Sequence, residues 1–400
     1  MISVAEARAR ILAGLEPVGA ETLALSEAAG RVLASAVMAR RTQPPVPVSA
    51  MDGYAVRAAD AAEVPAVLSQ VGTSQAGRAH DGQVGPGQCV RIFTGAPLPV
   101  GADSIVIQED TSADGRKITI REAPRQGQFV RRAGLDFRAG DVLLRGGMRL
   151  GPAQIGLAAA MDVPWLEVRR RPRVALISTG DELVRPGEPA GPAQIVSSNA
   201  LALAAMIRAV GGEPLDLGIA RDERAAILAL VDAAAGCDLL VTLGGASVGE
   251  HDLVQKALSE RGLALDFWKI AMRPGKPLMF GRLGAMPMLG FPGNPVSSIV
   301  CGLLFLKPAI AALLGLKEPA RPAPRARLGR DLPENDGRED YLRASLTHDE
   351  AGVAVATPFN RQDSSNLSKL AEARCLVIRP PRAPAAKAGE IVTILPLDDF

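Results

Sequence analysis

The chain has 400 residues, of which 48% are hydrophobic and 3% aromatic, and its 45 Lys+Arg and 43 Asp+Glu leave a net charge of +2. This length predicts two to four domains with ample apolar surface to fold, while scarce aromatic residues and the lack of long basic runs argue against a nucleic-acid-binding protein. Four scattered cysteines without a CxxC pair and three histidines without HExxH spacing argue against a disulfide framework and a zinc hydrolase, and they favour a reducing compartment.

Residues 1–43 predict helix, with apolar side chains such as Val4, Ile11 and Leu15 at helical spacing. Charged residues interrupt this segment, so it lacks the uninterrupted apolar core of a signal peptide. The sequence QPPVPV (43–48) then breaks regular structure, because proline fixes the backbone and lacks an amide donor.

The following stretch changes to short strands separated by turn residues, which predicts a small β domain. Its segments SIVIQED (104–110) and KITIRE (117–122) flank Asp114-Gly115 and predict a β-hairpin. Residues 141–170 return to mixed structure, and we expect them to pack back on the N-terminal segment. The β domain is therefore predicted to be an insertion.

From Pro172 onward, strands alternate with helices. The predicted elements are strand 173–178, helix 199–210, strand 214–219, helix 222–236 and strand 238–243. This alternation predicts right-handed βαβ units and a mostly parallel sheet covered on both faces. The last unit, 287–306, is a strand, a loop and a buried helix. Its apolar run, 299–306, is expected to end at Lys307-Pro308 and is too short to span a bilayer.

A proline-rich linker (319–329) leads into alternating strands such as 340–346 and 353–359, with a turn at 349–352, which predicts a small all-β domain. The predicted fold class is thus a multidomain α/β plus β protein in the cytoplasm. Its predicted units are an elongated helical/mixed domain (1–43 and 141–170), an inserted β lid domain (44–140), a central α/β domain with a mostly parallel sheet (171–318) and a C-terminal small all-β domain (319–400).

Loops after the strands of the α/β domain carry residue types suited to binding anions. TGDEL (179–183), GGASVGEHD (244–252) and GFPGNPVSS (290–298) fall at the carboxyl ends of strands, where open parallel sheets bind ligands. Their glycines allow close backbone approach, and amides at helix N-termini bind oxyanions. MRPGKP (272–277) adds two cations. These loops predict a pocket for phosphate or another oxyanion. The carboxylates near it are Glu182, Asp222 and Asp252.

Five motifs in order give this pattern its specificity. SAMDGYA (49–55) and RIFTGAPLPVGAD (91–103), followed by GGASVGEHD, RPGKP and GFPGNPVSS, resemble the signature loops of the molybdopterin molybdenumtransferase family, which includes MoeA and the gephyrin E-domain. The resemblance extends from about residue 1 to residue 400. GGASVGEHD alone would also suit smaller relatives that share only the α/β domain.

The resemblance implies a molybdopterin-binding α/β domain and a homodimer, in which each active site lies between the α/β domain of one subunit and the lid of the other. It implies that molybdate and adenylylated molybdopterin are substrates, that AMP is released with Mg²⁺, and that molybdenum is left on the dithiolene. The adenylyltransferase that makes the substrate and the acceptor molybdoenzymes are further implied partners.

Matching positions supply the candidate site residues. Molybdate is a tetrahedral dianion, so preplaced cations and hydroxyl or amide donors would bind it. Magnesium is held by one or two carboxylates together with substrate phosphates. The catalytic candidates are Asp52, Thr94, Glu182, Asp222, Asp252 and Lys269, with Asp136 as a further acidic candidate and Asp222 and Asp252 as Mg²⁺ ligands. The candidates for molybdate or phosphate binding are Gly244, Gly245, Ser247, Arg273, Lys276, Pro277, Ser297, Arg343, Ser364 and Ser365.

Structural explanations compete for several of these residues. Asp222 could simply cap the following helix, Asp52 could belong to an Asp-Gly turn, and Arg343 could be a charge on the outer face of a strand. The family often has lysine where Arg273 stands; arginine keeps the charge but adds a rigid planar fork. Two other functions compete with molybdenum insertion, namely an adenylyltransferase or pyrophosphatase relative sharing the α/β domain and a non-catalytic scaffold on the same fold. The sequence does not distinguish molybdate from tungstate.

Overall fold

A computed structural model describes residues 1–245, 253–317 and 322–397. The elements of the N-terminal part are, in chain order, α1 (Val4–Ala13), β1 (Ala20–Ala24), β2 (Val37–Met38), β3 (Val48–Ser49), β4 (Gly53–Val56), β5 (Ala66–Ser74), β6 (Gln88–Ile92), β7 (Ser104–Ile107), β8 (Thr111–Asp114), β9 (Lys117–Ile120), β10 (Val130–Arg131), β11 (Val142–Leu144), α2 (Pro152–Ala160) and β12 (Trp165–Arg169).

The helix predicted for residues 1–43 is much shorter in the structure. Helix α1 begins at the N-cap Ser3, whose hydroxyl accepts from the amide of Glu6 at 3.1 Å, and it ends at Gly14. Strands β1 and β2 then pair antiparallel with β12 and β11. The prediction was wrong because Gly14 and Pro17 end the helix while the apolar spacing continues into strands. The two flanks of the inserted domain therefore meet in one unit.

The inserted domain contains a six-stranded sheet in the order β7-β4-β6-β5-β9-β8. The predicted turn at Asp114-Gly115 is confirmed, because Asp114 pairs with Lys117 in the β8–β9 hairpin. The segment predicted to pair with β9, residues 104–110, instead forms β7, which pairs with β4, and a 3₁₀ turn at Gln108–Asp110. The strand that pairs with β9 is β8, which begins after this turn, so the predicted pairing was wrong.

The α/β domain follows. Its elements are β13 (Arg173–Thr179), β14 (Leu183–Val184), β15 (Ile195–Val196), α3 (Asn199–Ala209), β16 (Glu213–Ala220), α4 (Arg224–Ala233), β17 (Leu239–Leu243), α5 (Leu253–Glu260), β18 (Leu263–Trp268), β19 (Met272–Arg273), β20 (Met279–Leu283), β21 (Met286–Phe291), α6 (Pro295–Cys301) and α7 (Lys307–Leu313). The sheet order is β16-β13-β17-β21-β20-β18, parallel from β16 to β21 and antiparallel beyond, which confirms a mostly parallel sheet.

The apolar helix after β21 continues through the position where we expected it to stop. A π-helical turn, Gly302–Leu306, joins α6 to α7, so the helical run Pro295–Leu313 has 19 residues and a mean hydropathy of 2.0. By length and composition alone it could cross a membrane, yet 67% of it is buried inside the protein. Its side chains belong to the same core as α1, α3 and β17, which is how a core helix behaves. Lys307-Pro308 does not end the helix because proline is tolerated in the first turn of a helical segment.

The C-terminal part consists of β22 (Arg325–Leu328), β23 (Glu339–His348), β24 (Ala354–Pro358), α8 (Leu367–Glu372), β25 (Cys375–Arg379) and β26 (Ile391–Pro396). Its sheet order is β19-β23-β24-β22-β26-β25, and an additional β23–β25 pairing closes the strands into a small barrel. The predicted turn at 349–352 is present, and α8 is a short helix that the all-β prediction did not include. Strand β19 comes from the α/β domain, so the barrel is joined to that domain by backbone pairing.

Candidate functional site

A cleft of about 760 Å³ opens at the carboxyl ends of β13, β17 and β21. The chain places β16 on one side of β13 and β17 on the other, so the crossover direction reverses between β13 and β17. Loops leave the sheet in opposite directions at such a switch point and leave a crevice between them. The loop residues Gly180, Gly244 and Gly293, one after each of the three strands, all line the cleft.

Two helices begin at this cleft. Asn199, the first residue of α3, and Pro295, the first residue of α6, both line it. The Asn199 side-chain amide donates to the carbonyl of Gly293 at 2.7 Å and fastens the two helix starts together. The helix dipole makes these N-termini favourable for an anion. In α6, Pro295 has no amide hydrogen and the Val296 amide donates to the carbonyl of Ser364 at 3.1 Å.

The Gly244-Gly245 pair requires glycine for steric reasons. Both residues have positive φ, +95° and +64°. A Cβ on Gly244 would lie 2.7 Å from the carbonyl oxygen of Thr179, and one on Gly245 would overlap the side chain of Val254. The predicted close backbone approach is thus present, and both glycines line the cleft as expected.

Carboxylates border one side of the cleft. Glu182 and Asp222 are exposed and line it. Asp222 is not the N-cap of α4, since Glu223 occupies that position without a side-chain cap. The amide of Asp222 instead donates to the Asp181 carboxylate at 3.2 Å, and this bond connects the two loops. Asp222 therefore does not cap α4, and it lines the cleft instead.

The predicted cations lie in different surroundings. Lys276 is exposed and lines the cleft together with Pro277. Arg273 is paired with carboxylates at the join with the barrel, where its guanidinium bonds Asp340 and lies 3.3 Å from Asp336. The guanidinium of Arg273 is thus paired with carboxylates of the C-terminal barrel, and its predicted contact with an anion stays a prediction.

The acidic partners of Arg273 were missed by the sequence analysis. Asp340 is 3% exposed, and burial is the main cause that raises the pKa of its carboxyl. Asp336 is exposed, and hydrogen bonds from Arg338 lower its pKa to about 2. The only available signal was the density of charges in DGRED (336–340), which does not reveal which of them would be buried.

Arg343 also differs from its prediction. It is 1% exposed, neither a surface charge nor a cleft-lining residue. Its guanidinium donates to the carbonyls of Arg361 and Asn366 and to the side chain of Gln362. Burial lowers the pKa of the guanidinium. The surface-charge alternative for Arg343 is therefore wrong, and its predicted contact with molybdate stays a prediction.

The serines of the RQDSS segment do reach the cleft region. Ser365 lines the cleft, and Ser364 accepts a hydrogen bond from Asn294 at 2.9 Å. The hydroxyl and amide of Ser365 donate to Asp363 at 2.6 and 2.8 Å, and the hydroxyl bond is the largest cause that lowers the pKa of that carboxyl. The C-terminal barrel therefore contributes a loop to the cleft.

Two further candidates lie outside the lining of the cleft. Ser297, in the first turn of α6, is 4% exposed. Lys269 has φ +85° and its ammonium lies 4.8 Å from the centre of the Trp268 ring. Predicted roles for these residues stay predictions. Ser247 and Asp252 lie outside the described residues.

The remaining candidates, Asp52, Thr94 and Asp136, belong to the lid domain and do not line the cleft. The amide and hydroxyl of Thr94 both donate to Asp52 at 2.7 Å, and the hydroxyl bond is the largest cause that lowers the pKa of this carboxyl. Asp136 lines a second cavity of about 480 Å³, together with Arg131 and Gly95, the residue that follows Thr94. Glycine is required beside Asp52, because a Cβ on Gly53 would overlap the neighbouring strand β7.

Another cavity, of about 850 Å³, opens at the opposite edge of the sheet. It lies at the amino ends of β17 and β21 and contains the Asp232–Arg261 ion pair. No helix begins there among the described residues that line it, and three of its charged side chains are in ion pairs, Asp232 with Arg261 and Asp238 with Arg170. We therefore place the functional site at the smaller cleft.

The fold and the cleft together define a multidomain α/β protein with a cleft suited to an anion at a topological switch point. Three family models match in order: "MoeA N-terminal region (domain I and II)" at residues 2–161, "Probable molybdopterin binding domain" at 175–312, and "MoeA C-terminal region (domain IV)" at 325–397. These matches include the lid and the barrel, which distinguishes the chain from smaller proteins that share only the α/β domain.

Similar proteins agree with these models. A molybdopterin molybdenumtransferase of Nostoc sp. is 37% identical over 94% of this chain and 88% of its own length. One of Haemophilus influenzae is 35% identical over 100% and 99%. The crystal structure of a molybdopterin biosynthesis MoeA protein from Pyrococcus horikoshii has a TM-score of 0.85 and 30% identity and covers 98% of both chains. The chain belongs to the MoeA family of molybdopterin molybdenumtransferases.

Proposed function

We propose that this enzyme inserts molybdenum from molybdate into adenylylated molybdopterin and releases AMP. The observation that supports this most strongly is the cleft, in which Lys276 and the starts of α3 and α6 surround the Gly244-Gly245 loop. Such a site suits an oxyanion and a phosphorylated substrate together. The names of the relatives supply molybdopterin and molybdenum, and the adenylyl group and AMP are expectations from the family resemblance.

Molybdate would be bound by charge and by hydrogen bonds. Lys276 would provide a cation, and Ser365 of the barrel would provide a hydroxyl by turning it from Asp363, to which it donates at 2.6 Å in the free protein. When both dithiolene thiols bind one molybdate, an oxo group leaves as water, with the two thiol protons. Glu182 is exposed in the cleft and is our candidate to carry these protons.

Cleavage of the phosphoanhydride would place AMP and the pterin phosphate near the carboxylates. Asp222 lines the cleft, and Asp252 is the second proposed ligand for Mg²⁺. This fits a magnesium ion held by one or two carboxylates and substrate phosphates, and among the described residues there is no larger cluster of acidic or histidine ligands. The bound ion would neutralise phosphate charge during water attack.

We further propose a homodimer with shared active sites. The described residues that line the cleft all lie between 178 and 365, and Asp52, Thr94 and Asp136 of the lid are not among them. A second copy would bring its lid to the cleft and complete the candidate set. The dimer, its cytoplasmic location and its exchange of pterin with an adenylyltransferase and with acceptor molybdoenzymes are expectations from the family. Four free, buried cysteines support a reducing compartment.

The direct test supplies purified protein with adenylylated molybdopterin and Mg²⁺ and measures AMP by chromatography, with and without molybdate. We expect AMP release that depends on molybdate and is abolished by chelation of magnesium. Release at the same rate without molybdate would indicate simple hydrolysis, which would favour a pyrophosphatase. No release at all would favour a non-catalytic scaffold.

Subunit mixing tests the shared site. Asp52→Ala and Asp222→Ala homodimers should each be inactive, because every site then lacks one carboxylate. Their mixture should regain about a quarter of wild-type activity, since half the dimers are mixed and each has one intact site. A mixture as inactive as its parents would show that lid and cleft of the same subunit act together.

A further inference from the structure

We propose that a side pocket next to the cleft binds the ribose and the base of the substrate's adenylyl group. The side pocket has a volume of about 470 Å³ and is defined by Ser178, Arg185, Ser197, Leu201 and Asp216. This volume is within the range of pockets that hold small-molecule ligands. The inference rests on the proposed function for its substrate, adenylylated molybdopterin, but the binding of AMP can be measured without molybdenum insertion.

The side pocket adjoins the cleft at one end of the sheet. Ser178, near the end of β13, and Ser197, shortly before α3, line both cavities. The side pocket is lined by β16 and β13, whereas Lys276 leads into β20, on the far side of β21 in the sheet. Asp222 follows β16 and lines the cleft. A substrate with its phosphates at Asp222 and its dithiolene near Lys276 therefore has space for its nucleoside in the side pocket.

Two polar groups of the side pocket have no partner in the part of the chain that the structure describes. Ser178 is 2% exposed, and its hydroxyl forms no hydrogen bond there. Buried polar groups are normally hydrogen-bonded, so a hydroxyl in this state indicates that water or a ligand binds it. The guanidinium of Arg185 is also unpaired, and Gly218 leaves space for it, because a Cβ on Gly218 would lie 3.1 Å from its Nη2. Both groups are thus available to a ligand.

The other residues of the side pocket suit a ribonucleoside. Asp216 is exposed, and its Oδ1 accepts from the amide of Gly218 at 3.0 Å, which orients the carboxylate. An oriented carboxylate can accept from a ribose 2′-hydroxyl, as it does in dinucleotide sites. Leu201, which is 55% exposed, and Pro186 provide an apolar surface for a flat base. The guanidinium of Arg185 can stack on the same base.

A free phosphate fits the side pocket less well than a nucleotide. Phosphate would use only Arg185 and the serine hydroxyls, and the carboxylate of Asp216 would repel it. A nucleotide uses the cation, the carboxylate and the apolar surface together. The combination of these three features therefore favours AMP over an inorganic anion.

Equilibrium dialysis of radiolabelled AMP against the full-length protein, with Mg²⁺ and without pterin, tests the subsite. We expect saturable binding, which Arg185→Met and Leu201→Asp should each weaken roughly tenfold. The matched control is Arg208→Met, which removes an arginine from the last turn of the helix that carries Leu201 and should leave the Kd unchanged. The proposal is wrong if the wild type shows no saturable binding, if both variants bind as the wild type does, or if the control loses as much affinity.

A second ligand tests the contact between Asp216 and the ribose. The wild type should bind 2′-deoxy-AMP roughly tenfold more weakly than AMP, because the hydroxyl bond to a carboxylate is lost. Asp216→Ala should bind the two nucleotides equally. Equal binding of both by the wild type would contradict the proposal, as would displacement of AMP by an equal concentration of inorganic phosphate.

Kinetics separate this inference from the proposed function. Arg185→Met should raise the KM for adenylylated molybdopterin and leave the KM for molybdate unchanged, since the side pocket and Lys276 lie at different ends of the cleft. A wild type that binds AMP as described but releases none from the substrate would refute the proposed function and leave the side pocket as a nucleotide site. Molybdate-dependent AMP release with the same KM values in wild type and Arg185→Met would refute the side pocket alone.

Discussion

Replacing Gly244 by alanine perturbs the cleft at the point where the backbone has least freedom. Gly244 has φ +95°, and its amide bonds the carbonyl of Phe291 on the neighbouring strand at 3.1 Å. The added Cβ would meet the Thr179 carbonyl oxygen at 2.7 Å. Thr179 is itself paired with Ala220 in the sheet, so neither side can shift without loss of strand pairing.

The expected cost has two parts. A non-glycine residue in the left-handed region loses about 1–2 kcal/mol, and overpacking against backbone adds about 1–3 kcal/mol. Gly244→Ala should therefore lower the free energy of unfolding by roughly 2–5 kcal/mol. Gly293 is a matched control in the same cleft, since its φ lies outside the left-handed region and its added Cβ would lie 3.7 Å from the nearest atom. Gly293→Ala should change stability by less than about 0.5 kcal/mol.

Tryptophan fluorescence during urea unfolding measures this difference. The protein has 2 tryptophans, and a Trp165→Phe background leaves Trp268, on β18 of the same sheet, as the reporter. Gly244→Ala should unfold at a clearly lower urea concentration than Gly293→Ala. Equal midpoints would refute the argument that this loop depends on a left-handed glycine.

Two further predictions concern charged groups. Thr94→Val removes the hydroxyl bond that lowers the pKa of Asp52 and should move that pKa upward toward 3.8, as followed by NMR titration; an unchanged pKa would contradict the assigned cause. Because the folded pKa is depressed, the stability from this contact is present above pH 3.8 and is lost as the pH falls through the folded value. Arg273→Met leaves the buried Asp340 carboxylate without its partner and should cost about 1–3 kcal/mol, discounted because Arg273 is half-exposed. Adding Asp340→Asn should recover part of that loss, and a raised KM for molybdate at unchanged stability would instead assign Arg273 to anion binding.

The parts of the site carried by local backbone chemistry were predictable. Strands that end in Gly244-Gly245 and in Gly293-Asn294 must turn into helices, and parallel strands bring such loops to one edge. Helix 199–210 was predicted nearly at its observed bounds, Asn199–Ala209, because glycine ends it. Asp222 was placed correctly beside the cleft, although its capping alternative failed.

Side-chain networks between distant segments were not predictable. Arg343 lies in a strand of alternating residues, in which charged side chains normally face the solvent. In the structure, the loop 361–366 and α8 cover that face of β23, so Arg343 is buried. Arg273 looked free as a cation, because its partner Asp340 is 67 positions away. The early helix was overextended for a related reason: periodic apolar residues after Gly14 pack in strands whose partners, β11 and β12, come much later in the chain.

The account is tested most directly by the molybdenum bound to the pterin after a single turnover. Protein, adenylylated molybdopterin, Mg²⁺ and molybdate are incubated together, the pterin is extracted, and its molybdenum is counted against the AMP released. Molybdenum insertion predicts about one molybdenum per AMP and a large decrease in both with Lys276→Ala. AMP formed without pterin-bound molybdenum would contradict the central claim and leave the protein a hydrolase on this fold.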